Sequence, residues 1–221
     1  GVYCGKLLAD MGADVIKIEP PGGDATREIP PFWGDDRHPE KSLFFLYTNT
    51  SKRGVTLDVR REEGRELFRQ LAKAADMVLE TFPPGFLGEL GLGYGDLCEV
   101  NPRLVFTSIT DFGQTGPQRS FKSSDLVASA LGGSMYVTGE EEDPPVKLAG
   151  SQSHMMASTY AAVSSMIALY RGAISGVGQH VDISVEEATV SVSHICGVGK
   201  WLDDGIIPRR RGTGLFASVP S

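Results

Sequence analysis

The sequence predicts an α/β fold with a Rossmann-like βαβ arrangement and a mostly parallel sheet. Short runs rich in valine and isoleucine alternate with segments of helical period, and such alternation implies strands joined by crossover helices. The stretch 145–188 repeats this logic locally. A helix rich in alanine and serine runs into Gly176-Val177-Gly178, then into an alternating strand, then into another helix. Glycines at that turn let the chain reverse tightly.

The elements follow in order. Gly5 to Ala13 reads as a helix with Leu7, Leu8 and Met11 on its apolar face, and Asp14 to Ile18 as a strand with its valine and isoleucines buried. Glu19 to Lys41 is rich in Pro, Gly and Asp and reads as a long surface loop; loops of that length are usually functional or mobile. Val55 to Val59 is the next strand. Arg60 to Ala74 is an amphipathic helix with Leu67 and Leu71 at i, i+4. Asp76 to Leu79 is a strand, Phe82 to Gly85 a turn, Tyr94 to Val100 a short helix and Leu104 to Ile109 a strand. The small-residue helix covers Ser153 to Arg171, with Met155, Ala162, Met166 and Leu169 at helical spacing, and is expected to be deeply packed. Gln179 to Val185 alternates as a strand, with Val181, Ile183 and Val185 on one face. The acidic run Glu140 to Asp143 reads as a solvated turn, His180 as an exposed strand residue and His194 as a satisfied helix histidine.

Composition narrows the function. With 41% hydrophobic residues, 22% charged residues and a net charge of -7, the chain has an ordinary globular composition. The acidity argues against general nucleic-acid binding, which needs a basic face. The odd, scattered cysteines Cys4, Cys98 and Cys196 show no metal spacing and point to reduced thiols and a cytoplasmic location. No apolar run is long enough for a membrane span. Gly132-Gly133 and Gly176-x-Gly178 do not open a helix after a strand, so they do not support a nicotinamide dinucleotide site. In parallel sheets ligands bind past the carboxyl ends of strands. The loops there contain Arg27, Arg60, Phe82 and Lys122.

The segment GVGQHVDISVEEA resembles the signature of family III CoA-transferases, the CaiB/BaiF type that includes formyl-CoA:oxalate and carnitine CoA-transferases. LLADMGADVIKIEPPGGDATR, KRGVTLDV, ADMVLETFPPG with LGLGYGDL, NPRLVFTSITDFGQTGP and DLVASALGGSMYVTG resemble further motifs of that family, in its order. The resemblance implies a large domain over 1–221 whose first strand would precede Gly1 and whose second half would follow Ser221, so that the chain reads as a fragment. It also implies an interlocked dimer, homodimeric or heterodimeric, and a reaction that moves CoA between an acyl-CoA thioester and a small carboxylic acid, with no metal.

Coenzyme A needs cations or N–H groups for its phosphates, an apolar slot for adenine and a channel for its pantetheine arm. By resemblance, Arg27 contacts CoA, Leu57 to Arg60 line the nucleotide, Thr81 and Phe82 stand for an Asn-Phe pair that holds it, and Lys122 contacts it. The plain alternative for Arg27 is a solvated loop arginine. Lys52 and Arg53 match a basic pair of the family, and solvated residues at a strand start are an equal alternative. Glu89 stands where relatives often carry an arginine, and a carboxylate there would repel phosphate.

The family nucleophile is an aspartate near the start of the long helix. It attacks the thioester and later carries CoA itself. A gapless count from Gln179 places His154 at that position. An imidazole cannot form the same enzyme-CoA thioester. His154 is therefore the candidate catalytic residue under a modified role, with a packed helix histidine and a general base as alternatives. Two further readings follow: a catalytically silent CoA-binding subunit of a hetero-oligomer, and an acyl-CoA racemase or isomerase. Racemases of this fold place a His-Asp pair before the DLV helix and an aspartate on the long helix, whereas here Ser124 precedes Asp125 and His154 replaces the second acid.

Overall fold

The computed structural model describes residues 1–193, 198–210 and 212. In chain order the elements are α1 (Val2–Asp10), β1 (Val15–Glu19), α2 (Leu43–Thr48), β2 (Lys52–Thr56), α3 (Glu62–Ala74), β3 (Met77–Glu80), α4 (Phe86–Glu89), α5 (Tyr94–Val100), β4 (Val105–Thr110), α6 (Asp125–Leu131), α7 (Gln152–Ser175), β5 (His180–Ser184), α8 (Val185–Ser193) and α9 (Val198–Asp204). The strands form a two-stranded sheet, β1-β2, and a three-stranded sheet, β3-β4-β5. Both registered pairs are parallel, Val15 opposite Lys52 and Met77 opposite Val105. The chain divides into two compact units, one of Gly1–Ser108 with Ala161–Val181, the other of Ile109–Tyr160 with Asp182–Ser221. His194 and Cys196 lie outside the described residues.

The core of the first unit gathers Phe68, Ala72, Leu87, Leu92, Leu97, Leu104 and Phe106. It corrects the reading of α3. The buried stripe is Gly64, Phe68 and Ala72, while Leu67 is 50% and Leu71 37% exposed. The helix starts so close to the chain before it that a Cβ at Gly64 would lie 1.9 Å from the Asp58 carbonyl oxygen, and this approach selects the face that turns inward.

The strand expected at Val55 to Val59 pairs instead over Lys52–Thr56. Leu57 donates one more backbone bond, to Glu19 O at 2.9 Å, and Leu57 and Val59 then pack on the core as the chain leaves the sheet. The alternation marked extended chain, not sheet pairing. β1 is also less buried than expected, because its sheet has only two strands and Ile16 stays exposed. The short helices α2 and α4 escape a reading by period, being too short to show one.

α7 is longer than expected, and its packing differs. Ala157, Ser158, Ala161, Ala162, Ser165 and Ala168 are buried, whereas Met166 is 49% exposed and Leu169 is half-buried. Small residues form the contact stripe, and the larger apolar residues face away from it. In the first unit, Ser165 Oγ lies 2.7 Å from Thr107 Oγ1. In the second, Ser153 Oγ lies 2.8 Å from Ser129 Oγ. The turn after α7 fits equally closely. Gly178 N donates to Pro102 O at 2.8 Å, and a Cβ on Gly178 would sit 2.0 Å from Leu104 O.

β5 spans His180–Ser184, and Val185 already opens α8. His180 is exposed, as expected, yet its ring stacks on Tyr94 at 5.6 Å between centroids and its Nε2 lies 2.9 Å from Ser108 Oγ. The acidic turn Glu140 to Asp143 is exposed. No helix among the described residues is long and apolar enough to cross a membrane.

Candidate active site

The second unit brings His154, in the first turn of α7, against two aspartates from distant parts of the sequence. His154 Nδ1 lies 3.2 Å from Asp125 Oδ1, and His154 Nε2 lies 3.7 Å from Asp111 Oδ1. The imidazole is thus flanked by a carboxylate on each side.

Asp125 opens α6 after Ser124, whose side-chain oxygen caps that helix by accepting from Val127 N at 3.3 Å. The Asp125 carboxylate reaches across to α7. Its Oδ1 accepts from Ser153 N at 2.9 Å and His154 N at 3.4 Å. Backbone N–H groups at a helix start otherwise lack partners, and a carboxylate there also meets the positive end of the helix dipole. Its Oδ2 accepts from Lys147 Nζ at 2.6 Å. Burial pushes the Asp125 carboxyl upward, but Lys147 and the hydrogen bonds from His154 outweigh it and leave the group below its usual value. Asp125 is therefore a saturated anion that orients the histidine.

Asp111 follows the last residue of β4, at the carboxyl end of the strand. Its backbone oxygen accepts from Glu186 N at 3.1 Å, which fixes its place. Its side chain is 34% exposed, against 12% for Asp125. The neighbouring Thr110 Oγ1 is buried with no hydrogen-bond partner among the described residues. The Asp111 interaction, with Asp125 behind it, raises the His154 pKa above its ordinary value against the opposing effect of burial. A protonated imidazole is a poor nucleophile and a good anchor for an anion.

The other candidates lie in the first unit, except Lys122. Arg27 is not a solvated loop residue. Its guanidinium donates to Glu19 through Nε at 2.7 Å and Nη2 at 3.0 Å, and to Glu40 through Nη1 at 2.6 Å. It lies 3.8 Å from the Phe45 ring centroid. Arg27, Glu19 and Glu40 border a polar cavity of about 360 Å³ that Gly22, Gly23 and Thr56 also line. Leu57 is half-buried, while Arg60, Thr81 and Phe82 are exposed, and Phe82 packs on Phe86 with centroids 4.8 Å apart. Lys122 is exposed in the loop between β4 and α6, in the second unit. Glu89, at the end of α4, is exposed as well.

The basic pair takes fixed structural places. Lys52 Nζ donates to Val2 O, Thr48 O and Asn49 Oδ1, and burial lowers its pKa to about 8. Arg53 forms a bidentate pair with Asp14.

A family model described as CoA-transferase family III matches residues 1–221. The chain belongs to that family. It is 44% identical over 212 residues to the succinyl-CoA:(R)-benzylsuccinate CoA-transferase subunit BbsE of Thauera aromatica, covering 96% of this chain and 52% of that protein. It is 40% identical over 222 residues to the succinyl-CoA–D-citramalate CoA-transferase of Chloroflexus aurantiacus, covering 100% of this chain and 54% of that protein. Among solved structures it is similar to a CaiB/BaiF family protein from Brucella suis, with a TM-score of 0.89 and 38% identity over 96% of this chain and 56% of that one. A hypothetical protein from Mycobacterium tuberculosis matches with a TM-score of 0.78 and 31% identity, over 88% of this chain and 53% of that one. The chain spans about half the length of these relatives. The α/β fold with parallel sheets is the family's fold.

Asp111 did not stand out in the sequence, and Asp125 entered only as the acid that follows Ser124 in the comparison with racemases. The available signal was positional: one aspartate at the carboxyl end of a strand, one at the start of a helix. Their meeting at His154 spans 43 residues in one case and 29 in the other (154 − 111 and 154 − 125). No local pattern encodes such a contact.

Proposed function

We propose that the full-length protein is a CoA-transferase that moves CoA between an acyl-CoA thioester and a carboxylic acid. The observation that carries this reading is the Asp111–His154–Asp125 cluster, in a chain of family III, at the helix start where the family resemblance puts the reacting group. Carboxylates are the groups this chemistry needs. The relatives named for succinyl-CoA make succinyl-CoA the first donor to test, with a dicarboxylic acid as acceptor.

CoA binding in this reading uses Arg27, Leu57, Arg60, Thr81, Phe82 and Lys122. Arg27 is pre-oriented by Glu19, and it offers a phosphate the edge that Glu40, 68% exposed at its side chain, now covers. Phe82 offers an exposed aromatic face to adenine. The protein acts as a dimer and in the cytoplasm.

A second reading has its own support. His154 stands in place of a helix aspartate, and one relative is named as a subunit. A CoA-binding subunit that leaves the chemistry to a partner fits both facts.

The test is a CoA-exchange assay on the purified full-length protein, with succinyl-CoA and a panel of dicarboxylic acids, beside calorimetric binding of CoA. Exchange by this protein alone establishes the transferase. Binding without exchange, restored when a second subunit is added, establishes the silent subunit and sinks the first reading.

A further inference from the structure

We propose that Asp111 is the residue that is acylated and then carries CoA, with His154 as the residue that positions it. This rests on the transferase reading above.

The reaction needs an enzyme carboxylate whose own carbon can hold CoA as a thioester. Two carboxylates flank His154. Asp125 is committed: three N–H groups of α7 share Oδ1, Lys147 holds Oδ2, and the side chain is 12% exposed. Acylating it would strip the helix start of its acceptor. Asp111 differs on each count. It is 34% exposed, its Oδ1 faces His154 Nε2, and no hydrogen bond to Oδ2 is found among the described residues. It lies at the carboxyl end of β4, where parallel sheets bind ligands. Its backbone is pinned to the start of α8, so the nucleophile is held by the scaffold. His154, held from behind by Asp125, presents Nε2 to Asp111 and has no carboxyl carbon of its own to hold CoA.

The steps balance without redox change or net proton transfer. An Asp111 carboxylate oxygen attacks the thioester carbon, the C–S bond breaks, and CoA leaves as thiolate from a mixed anhydride. The thiolate attacks Asp111 Cγ, the bond from Cγ to the acyl-bearing oxygen breaks, and the donor leaves as its carboxylate. Asp111 now carries CoA. The acceptor carboxylate attacks Cγ and expels the thiolate. The thiolate attacks the acceptor's acyl carbon, which restores the Asp111 carboxylate and releases the new acyl-CoA.

The experiment treats full-length protein with succinyl-CoA, quenches with borohydride and maps the reduced residue by peptide mass spectrometry. The expected site is Asp111. Asp111→Asn should lose the label and about a thousandfold or more in exchange rate, while keeping CoA affinity. His154→Gln should still label Asp111, with a slower rate and without the loss of rate that wild type shows as His154 deprotonates. Exchange with the label on another residue, or full activity in Asp111→Asn, overturns the assignment and leaves the transferase reading standing. CoA binding with neither label nor exchange overturns both. The mapping uses wild-type protein, so a misfolded variant does not decide it.

Discussion

The Asp125 carboxylate holds both the backbone and the ring of His154: Oδ1 lies 3.4 Å from its backbone N and 3.2 Å from its Nδ1. One side chain therefore starts α7 and aims the imidazole. Asp125→Ala removes the acceptor of two backbone N–H groups and leaves Lys147 without its carboxylate. It should lower stability by about 2 kcal/mol. Asp125→Asn keeps an acceptor oxygen and should cost less. Urea denaturation of the two variants checks the order.

The same cluster predicts a pH signature. The folded pKa of His154 is raised by Asp111 and Asp125, so its stabilising effect is complete below the unfolded value near 6.5 and is lost as pH rises through the folded value. Asp125, whose folded pKa is lowered, contributes above the unfolded carboxyl value and loses that contribution as pH falls through its own. Urea midpoints of wild type and His154→Gln should therefore differ most near pH 6 and converge at alkaline pH. A gap that widens upward in pH would contradict the arrangement.

Two glycine substitutions should act with opposite sign. Gly178→Ala puts a Cβ 2.0 Å from the Leu104 carbonyl oxygen, a backbone atom that cannot swing aside, and should cost about 3 kcal/mol or more. Gly95→Ala, inside α5 with nothing within 4 Å of the new Cβ, should gain about 0.5–1 kcal/mol from helix propensity. Thermal melts separate the two.

Thr110→Val replaces a buried hydroxyl that has no partner among the described residues with a methyl of similar shape. Stability should stay unchanged or rise by up to about 1 kcal/mol, because an unsatisfied buried hydroxyl carries its desolvation cost. A clear loss in chemical denaturation would show that the hydroxyl has a partner.

Cys4 is fully buried, and burial raises its thiol pKa to about 11, so little thiolate forms at neutral pH. Cys98 is partly accessible. Brief alkylation of native protein at pH 7.5, followed by peptide mapping, should modify Cys98 well before Cys4.

Local sequence carries the α/β class, the order of the strands and of the longer helices between them, and the family. Those features are local: periods of two and 3.6, turn residues, and motifs such as GVGQHVDISVEEA. It placed Tyr94–Val100 without error and α7 to within a few residues. It also singled out His154. The tertiary structure alone decided which faces are buried, because Phe68 displaces Leu67 only through packing against Leu87, Leu92 and Leu104. It alone tied Arg27 to Glu19 and Glu40. It alone set Asp111 and Asp125 around His154. Those contacts join chain positions far apart, and their energies depend on distance and burial, which appear only when the chain has closed on itself.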